Sequence, residues 1–365
     1  METLRIAHVM GEFEPARGGQ ARMVGNAARA LAARGHGVEV YSFGPTGKGD
    51  GFETHRIARK DVISGRFWRM LRDGAYDIVH THGYSSFAPA KALPAELTQC
   101  AARVLTPYYH DVGSYPKALR RAYDLTFGRA VCLAAQQIQV LTEFEREALV
   151  RLQGIAPKRF EVIPPSIASG FAADAPRPRT ASEQGLFRVL FVGRLAPYKG
   201  VDHLIQAVGR LRQEGGRGVE LTVAGEGEPG ARASLERLAK GAGIVSFTGP
   251  LGDPELKALY DASGALALPS NAESFGIVLL EAMSRGLPVI AARAGGMPAL
   301  VTHRQNGLLV DYGDVGGLAG AIRELSADRE LWERLSRAGI ETARRYSPEE
   351  IAAKTETAYR RVRAG

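Results

Sequence analysis

The feature that most constrains this chain is an alternation, repeated from end to end, of short apolar runs with stretches of helical apolar spacing. The first series of runs lies near Leu4–Met10, Val38–Phe43, Ile78–Thr81, Arg103–Thr106, Gln137–Leu141 and Phe160–Ile163. A second lies near Arg188–Val192, Glu220–Ala224, Val245–Thr248, Ala265–Leu268, Pro288–Ala291 and Leu308–Val310. Most are rich in Val, Ile and Leu without polar alternation, as strands buried on both faces of a parallel sheet are. Between them, segments such as Gln20–Arg34, Val201–Arg212 and Asp314–Leu325 repeat apolar residues at helical spacing. Strands alternating with helices specify an α/β fold with right-handed crossovers.

The alternation breaks once, at Ser169–Gly185, which has two prolines and no periodicity and reads as a linker. The expected organisation is a doubly wound domain over residues 1–170, a linker over 171–186 and a second doubly wound domain over 187–346. At 365 residues the chain suits two such cores. Ligands of these sheets bind beyond the carboxyl ends of the strands. Two domains facing each other therefore place a site in the cleft between them. After Ser326 no strand follows, and Asp328–Arg345 and Pro348–Arg363 read as closing helices. Ile351, Thr355 and Tyr359 recur at i, i+4 spacing on the last, so it needs a surface to cover.

Composition narrows the classes. With 45% hydrophobic and 24% charged residues the chain is globular. Its two cysteines, Cys100 and Cys132, make no disulfide framework. No apolar run approaches the roughly 20 residues of a membrane span, and the first residues read as a strand, so the expected location is cytoplasmic. The net charge of +8 is uneven: residues 1–172 hold 22 Lys and Arg against 16 Asp and Glu, the remainder 25 against 23. A basic first half suits an anionic partner such as a membrane surface or phosphorylated acceptor, or is simply compositional; no nucleic-acid partner is assigned. The basic stretch from Arg56 to Arg72, with Phe67, Trp68, Met70 and Leu71 interleaved, fits either peripheral contact with anionic lipid or a helix packing Phe67 and Leu71 inward.

Several clusters can carry chemistry. Gly225-Glu-Gly227-Glu-Pro-Gly230 follows a strand and opens a helix, as a dinucleotide fingerprint does. The next strand, however, ends in Gly249-Pro250 and lacks the acidic residue that would hold a ribose. What remains is a glycine turn that lets a helix N-terminus approach a phosphate or sugar. At the end of the second domain's first strand, Gly193 frees the backbone, and Arg194 and Lys199 set two cations where a diphosphate could be clamped. Asn271-Ala-Glu273-Ser274-Phe275-Gly276-Ile277 opens a helix for which Ser274 is the expected N-cap. The same helix carries Glu281 among apolar residues, and a buried Glu needs partners. His80 and His82 form a pair at a strand end; no third ligand is apparent, so they are read as pocket lining and no metal site is assigned.

The ordered set Gly-Arg-Leu-x3-Lys-Gly, Gly-Glu-Gly, Glu-x7-Glu, Gly295-Gly296-Met-Pro298 and Asn306-Gly307 resembles glycosyltransferase family 4, over nearly the whole chain. That resemblance implies a retaining GT-B enzyme. It would move a hexose from a nucleoside-diphosphate sugar, UDP- or GDP-linked, to a lipid-linked, polysaccharide or small-molecule hydroxyl, with no cofactor and no metal. It implies that Arg194 and Lys199 hold the donor diphosphate, Glu273 the transferred sugar and Glu281 the ribose, with Leu251 against the base. Gly18, Gly19, Gly193, Gly225, Ser274, Phe275, Gly276 and Ile277 would complete the donor site. Glu14-Pro-Ala-Arg-Gly18-Gly19-Gln20 resembles the family's glycine loop, and Thr106-Pro-Tyr-Tyr-His110-Asp111 the segment whose His contacts the transferring sugar. The catalytic set implied is His110, Glu273, Arg194 and Lys199. Gln20, Arg22, His82, Tyr84, Tyr109 and Asp111 are acceptor-side candidates. The final helix, 347–365, would cross back onto the first domain.

The chain departs from the family pattern in two places. Ile163-Pro164-Pro165-Ser166 stands where Ile-Pro-Asn-Gly is common, and Ala299 where a Glu often follows Gly-Gly-x-Pro. Two other functions fit the architecture: a sugar-nucleotide epimerase or hydrolase, which uses no acceptor, and a non-catalytic nucleotide-sugar-binding protein.

Overall fold

The computed structural model describes residues 2–11, 18–43, 51–63, 65–84, 101–109, 117–172, 187–215, 218–240, 242 and 244–364. His110, Asp111, the Glu14–Arg17 part of the glycine loop and residues 173–186 of the expected linker lie outside them. The chain forms two compact units, Met1–Ser169 with Tyr346–Gly365, and Gly170–Arg345.

The first unit is built on seven parallel strands: β1 (Arg5–Met10), β2 (Gly37–Ser42), β3 (Glu53–Arg56), β4 (Ile78–His82), β5 (Ala102–Thr106), β6 (Gln137–Val140) and β7 (Phe160–Val162). Their order is β3-β2-β1-β4-β5-β6-β7. The winding reverses between β1 and β4, which pair in parallel with His8 opposite His80. Strand β3 was not expected from the sequence. It is Glu-Thr-His-Arg on a sheet edge, half exposed, so it lacks the apolar signature of its neighbours.

One face of this sheet is covered by the helices Gly19–Ala33 and Pro348–Ala364. The latter buries Ile351, Ala352, Thr355, Ala358 and Tyr359, and Tyr359 is wholly enclosed in the core with Ile6, Val40 and Val104. Enclosing such an aromatic contributes about 2–3 kcal/mol. On another face, the helix Arg66–Asp73 turns Phe67 and Leu71 into a cluster with Val9, Tyr41 and Tyr76. The apolar residues of the basic stretch therefore pack inward, while Arg66 and Arg72 pair with Asp61 and Asp73.

The second unit has six parallel strands: β8 (Phe187–Val192), β9 (Val219–Ala224), β10 (Ile244–Gly249), β11 (Ala265–Leu268), β12 (Val289–Ala292) and β13 (Leu308–Val310). The order is β10-β9-β8-β11-β12-β13, reversing between β8 and β11. Strands β11 and β12 are buried along their whole length, which is why they read as unbroken apolar runs. The helices Val315–Ala327 and Arg329–Arg344 start on Asp314 and Asp328, whose carboxylates accept from Gly317 and Leu331 N–H. Among the described residues no helix is long and apolar enough to cross a membrane.

Candidate active site

Each sheet of this kind offers its ligand position where the winding reverses, beyond the carboxyl ends of the flanking strands. In the second unit those strands are β8 and β11, and their following loops are stitched together. After β8 the chain passes Gly193 and Arg194 into a short turn, Pro197–Lys199, which ends on Gly200 at φ +68°. A Cβ at Gly200 would lie 2.3 Å from the carbonyl oxygen of Pro269, which follows β11. The Tyr198 carbonyl accepts from Asn271 N–H at 2.7 Å and from Ser270 Oγ at 3.3 Å. This close approach brings Lys199 Nζ onto the Glu273 carboxylate. Both side chains are mostly buried, 14% and 16% exposed, so the pair sits in a less screened setting than a surface salt bridge.

Glu273 is also held from behind. Gly295, at φ +59°, would place a Cβ 2.5 Å from the Glu273 carbonyl oxygen, and Gly296 N–H donates to that oxygen at 2.7 Å. Arg194 is exposed and its Nη2 donates to Tyr198 Oη at 3.0 Å. Gly193, Arg194, Lys199 and Glu273 thus meet at one reversal point, with one cation paired and the other facing solvent.

The helix that follows corrects one expectation. It runs Ile277–Ser284, and its N-cap is Gly276 at φ +87°, with no side-chain cap. Ser274 lies buried, two residues before the cap. A glycine takes the left-handed conformation at no steric cost, whereas Ser would be strained there. Glu281 is 1% exposed and accepts from Tyr260 Oη at 2.9 Å. Phe275 is buried; Ile277 and Leu251 are half-buried.

The glycine run after β9 has a packing origin. A Cβ at Gly225 would come within 1.9 Å of the Gly193 carbonyl oxygen, and one at Gly227 within 2.3 Å of the Leu195 oxygen. Gly225 N–H donates to Gly249 at 3.0 Å, and Leu195 N–H to Glu226 at 2.8 Å. The run extends the β8–β9–β10 ladder past the strand ends, which alone demands glycine there.

The first unit's reversal point, between β1 and β4, is filled differently. Gly18 is the N-cap of the helix Gly19–Ala33 at φ −100°, and Gln20 is exposed and Arg22 half-buried. Among the described residues a Cβ at Gly18 would meet nothing within 4 Å. Beneath, the His80–His82 pair gains a third member, His8. His8 Nδ1 and His82 Nε2 are 2.8 Å apart, and His82 Nδ1 is 3.0 Å from Tyr108 Oη. His80 spends both nitrogens, on Tyr359 Oη at 2.6 Å and Thr106 Oγ1 at 2.8 Å.

The rings of His80 and His82 stack at 4.1 Å with an interplanar angle of 29°. The cluster is a buried polar network linking β1, β4, β5 and the C-terminal helix. Burial pushes His8 down to about 4, and burial with neighbouring imidazoles lowers His80 and His82, so all three are neutral.

Three acceptor-side candidates are buried. Tyr84 and Tyr109 pack in a core cluster with Leu105, Val131, Ile138 and Leu149. His82 is buried and engaged in the network. Sequence reasoning missed His8, Glu145 and Tyr260, and it took in Tyr108 and Tyr359 only as part of a segment and of a helix face. A histidine inside the apolar run Ile6–Met10 was the one available signal for His8.

Comparison with known proteins matches these features. The model of glycosyl transferases group 1 covers residues 174–342, and that of Glycosyltransferase Family 4 covers residues 17–169. The chain is 35% identical over 312 residues to a D-inositol 3-phosphate glycosyltransferase of Kribbella flavida, covering 79% of this chain and 72% of that one. It is 27% identical over 410 residues to the Corynebacterium diphtheriae protein of the same name, covering 98% and 95%. Two solved structures share the fold. The sucrose-phosphate synthase of Thermosynechococcus elongatus gives a TM-score of 0.80 at 22% identity, covering 99% of each chain. Anabaena HepE in complex with UDP-glucose gives 0.79 at 20% identity, covering 97% of this chain and all of the other. The two Rossmann-like units, the family models and the relatives agree: the chain is a glycosyltransferase of family 4 with the GT-B fold.

Proposed function

We propose that the protein transfers a hexose, with retention of anomeric configuration, from a nucleoside diphosphate to an acceptor hydroxyl. The observation that carries this reading is the junction of Arg194, Lys199 and Glu273 at the β8–β11 reversal. As the C1–O bond to the diphosphate breaks, the sugar gains oxocarbenium character and charge builds on the departing phosphate. Arg194 and Lys199 stabilise that charge from fixed positions. Glu273, released from Lys199 as the diphosphate takes its place, is free to accept from sugar hydroxyls. The acceptor oxygen bonds to C1 on the same face, and its proton passes to the departing phosphate oxygen.

The sequence holds no Asp-x-Asp pair, and two cations can do what a divalent metal would; we assign no metal and no cofactor to the reaction. Glu281 is assigned to the ribose, which it would reach in exchange for or beside Tyr260. The relatives' name makes D-inositol 3-phosphate the first acceptor to assay, and the basic first half suits a phosphorylated one. Incubation with UDP-glucose, UDP-N-acetylglucosamine and GDP-mannose, with and without that acceptor, tests the reading by mass and by anomeric proton coupling. A glycosylated acceptor of retained configuration supports it. Free sugar in equal yield whether acceptor is present or absent, for every donor and acceptor tried, contradicts it.

A further inference from the structure

The turn after β5 is held in an unfavourable conformation from two sides. Tyr108 has φ +52°, one of three non-glycine residues with positive φ among the described residues. A bulky L residue rarely adopts this region, and such outliers persist only where the surroundings overdetermine them. On one side, Tyr108 Oη bonds His82 in the buried histidine network. On the other stands Glu145, on the helix Glu143–Gln153, with none of its surface exposed. One of its carboxylate oxygens accepts from Tyr109 N–H at 2.5 Å, the other from Leu141 N–H at 2.8 Å.

Helix capping does not account for this arrangement. Thr142 is the N-cap, its Oγ1 accepting from Glu145 N–H at 3.3 Å. In a capping box, Glu145 would turn back to the N–H of Thr142. It reaches instead one residue further, to Leu141 after β6, and across to Tyr109 after β5. A carboxylate buried at this cost, bridging two strand-end loops through their backbones, fixes the position of both. Both loops lie at the carboxyl ends of their strands, the edge at which sheets of this kind bind ligands.

We propose that Glu145 is a positioning residue for sugar transfer: its carboxylate locks the strained Tyr108–Tyr109 turn at the carboxyl end of β5. This rests on the proposed function, because it is transfer that the turn would serve. Burial raises the Glu145 carboxyl to about 7, against the two N–H groups that lower it. The titratable groups on the elements around it are Tyr108 and Tyr109 on the turn, Asp124 on the adjoining helical segment, paired with Arg120 at 3.9 Å, and Glu161 on β7. Strand β6 offers only glutamines. The carboxylate form clamps both N–H groups and the acid form can accept fully from only one side, so turnover should fall as pH drops through about 7.

The test compares wild type, E145Q and T142A, using the diphosphate sugar whose nucleotide stabilises the protein. In E145Q the carboxamide NH2 faces one of the two N–H donors, so one clamp is lost. The expected result is a kcat lowered about tenfold or more with donor KM changed less than twofold, and no acid limb near pH 7. Hydrogen exchange in peptides spanning Leu105–Tyr109 should accelerate in E145Q and not in T142A, which weakens the helix cap alone. A kcat within twofold of wild type overturns the proposal. So does an equal loss of kcat in T142A at a matched fall in melting temperature. The wild-type profile needs no variant: a kcat flat between pH 6 and 8 also overturns it. If wild type transfers no sugar at all, the functional reading fails, while unchanged exchange in E145Q would separately discard the clamp.

Discussion

The two units wind their sheets in the same way but fill the reversal point with opposite chemistry. Between β8 and β11 the chain sets charges: Arg194 in solvent and Lys199 against Glu273, on loops locked by Gly200 and Gly295. Between β1 and β4 it sets neutral, buried groups: His8, His80, His82 and Tyr359. The first arrangement is suited to receive an anion and exchange one ion pair for another. The second is a rigid floor that holds the surrounding strand ends in place. The same topology therefore supplies a charged face in one unit and a positioning scaffold in the other, and the sequence placed at two strand ends decides which.

That contrast is exposed to experiment. The largest effect should come from K199A. Removing one fixed donor to a developing anion lowers turnover by about a hundredfold or more, while the fold survives, because Lys199 is a loop residue. Wild-type turnover in K199A would break the charged half of the comparison.

Acid should break the neutral half. His8 titrates at about 4 folded against an ordinary value of 6.5. The unfolded chain thus binds more protons between those values, and stability fully present above pH 6.5 is lost as pH falls towards 4. For His8 alone this amounts to about 3 kcal/mol, and His80 and His82 act in the same direction. Glu145 opposes them: its folded value of about 7 lies above the ordinary 4.5, so its contribution is greatest at low pH and declines as pH rises through 7. With three groups against one, urea unfolding should show a first unit less stable at pH 5 than at pH 8. Equal stability at the two values would mean that the histidines are not held neutral.

Glycine substitutions sharpen the comparison further. G225A drives a Cβ into the Gly193 carbonyl and should cost about 3 kcal/mol. G18A meets no described neighbour at φ −100° and should stay within about 0.5 kcal/mol of wild type. A G225A protein as stable as wild type would remove the packing account of that glycine run. Y359F, which leaves His80 Nδ1 buried without a partner, should cost about 1–2 kcal/mol in unfolding, less than G225A and more than G18A.

Much of this was legible in the sequence, for physical reasons that also explain what was not. Strands such as β11 and β12 announce themselves because both faces are buried. Edge strand β3 does not, since Glu53–Arg56 packs too little apolar surface to leave a pattern. Gly193, Arg194, Lys199 and Glu273 were found because each follows a readable strand end. Their ion pair was not, because it depends on Gly200 and Pro269 coming together from 69 positions apart. His8 escaped notice because only the β1–β4 register brings it beside His80. Ser274 was misread as a cap because sequence shows a good capping residue but not the left-handed turn that Gly276 makes instead.

The central claim, that the β8–β11 reversal receives the diphosphate of the donor, is tested most directly by thermal unfolding with UDP, GDP, ADP and dTDP at equal millimolar concentration. A nucleotide present at about 100 times its dissociation constant adds about 2.7 kcal/mol. The account expects one nucleotide to stabilise wild type by that order and to lose most of its effect in K199A. Stabilisation that K199A leaves intact, or no stabilisation by any of the four, would contradict it.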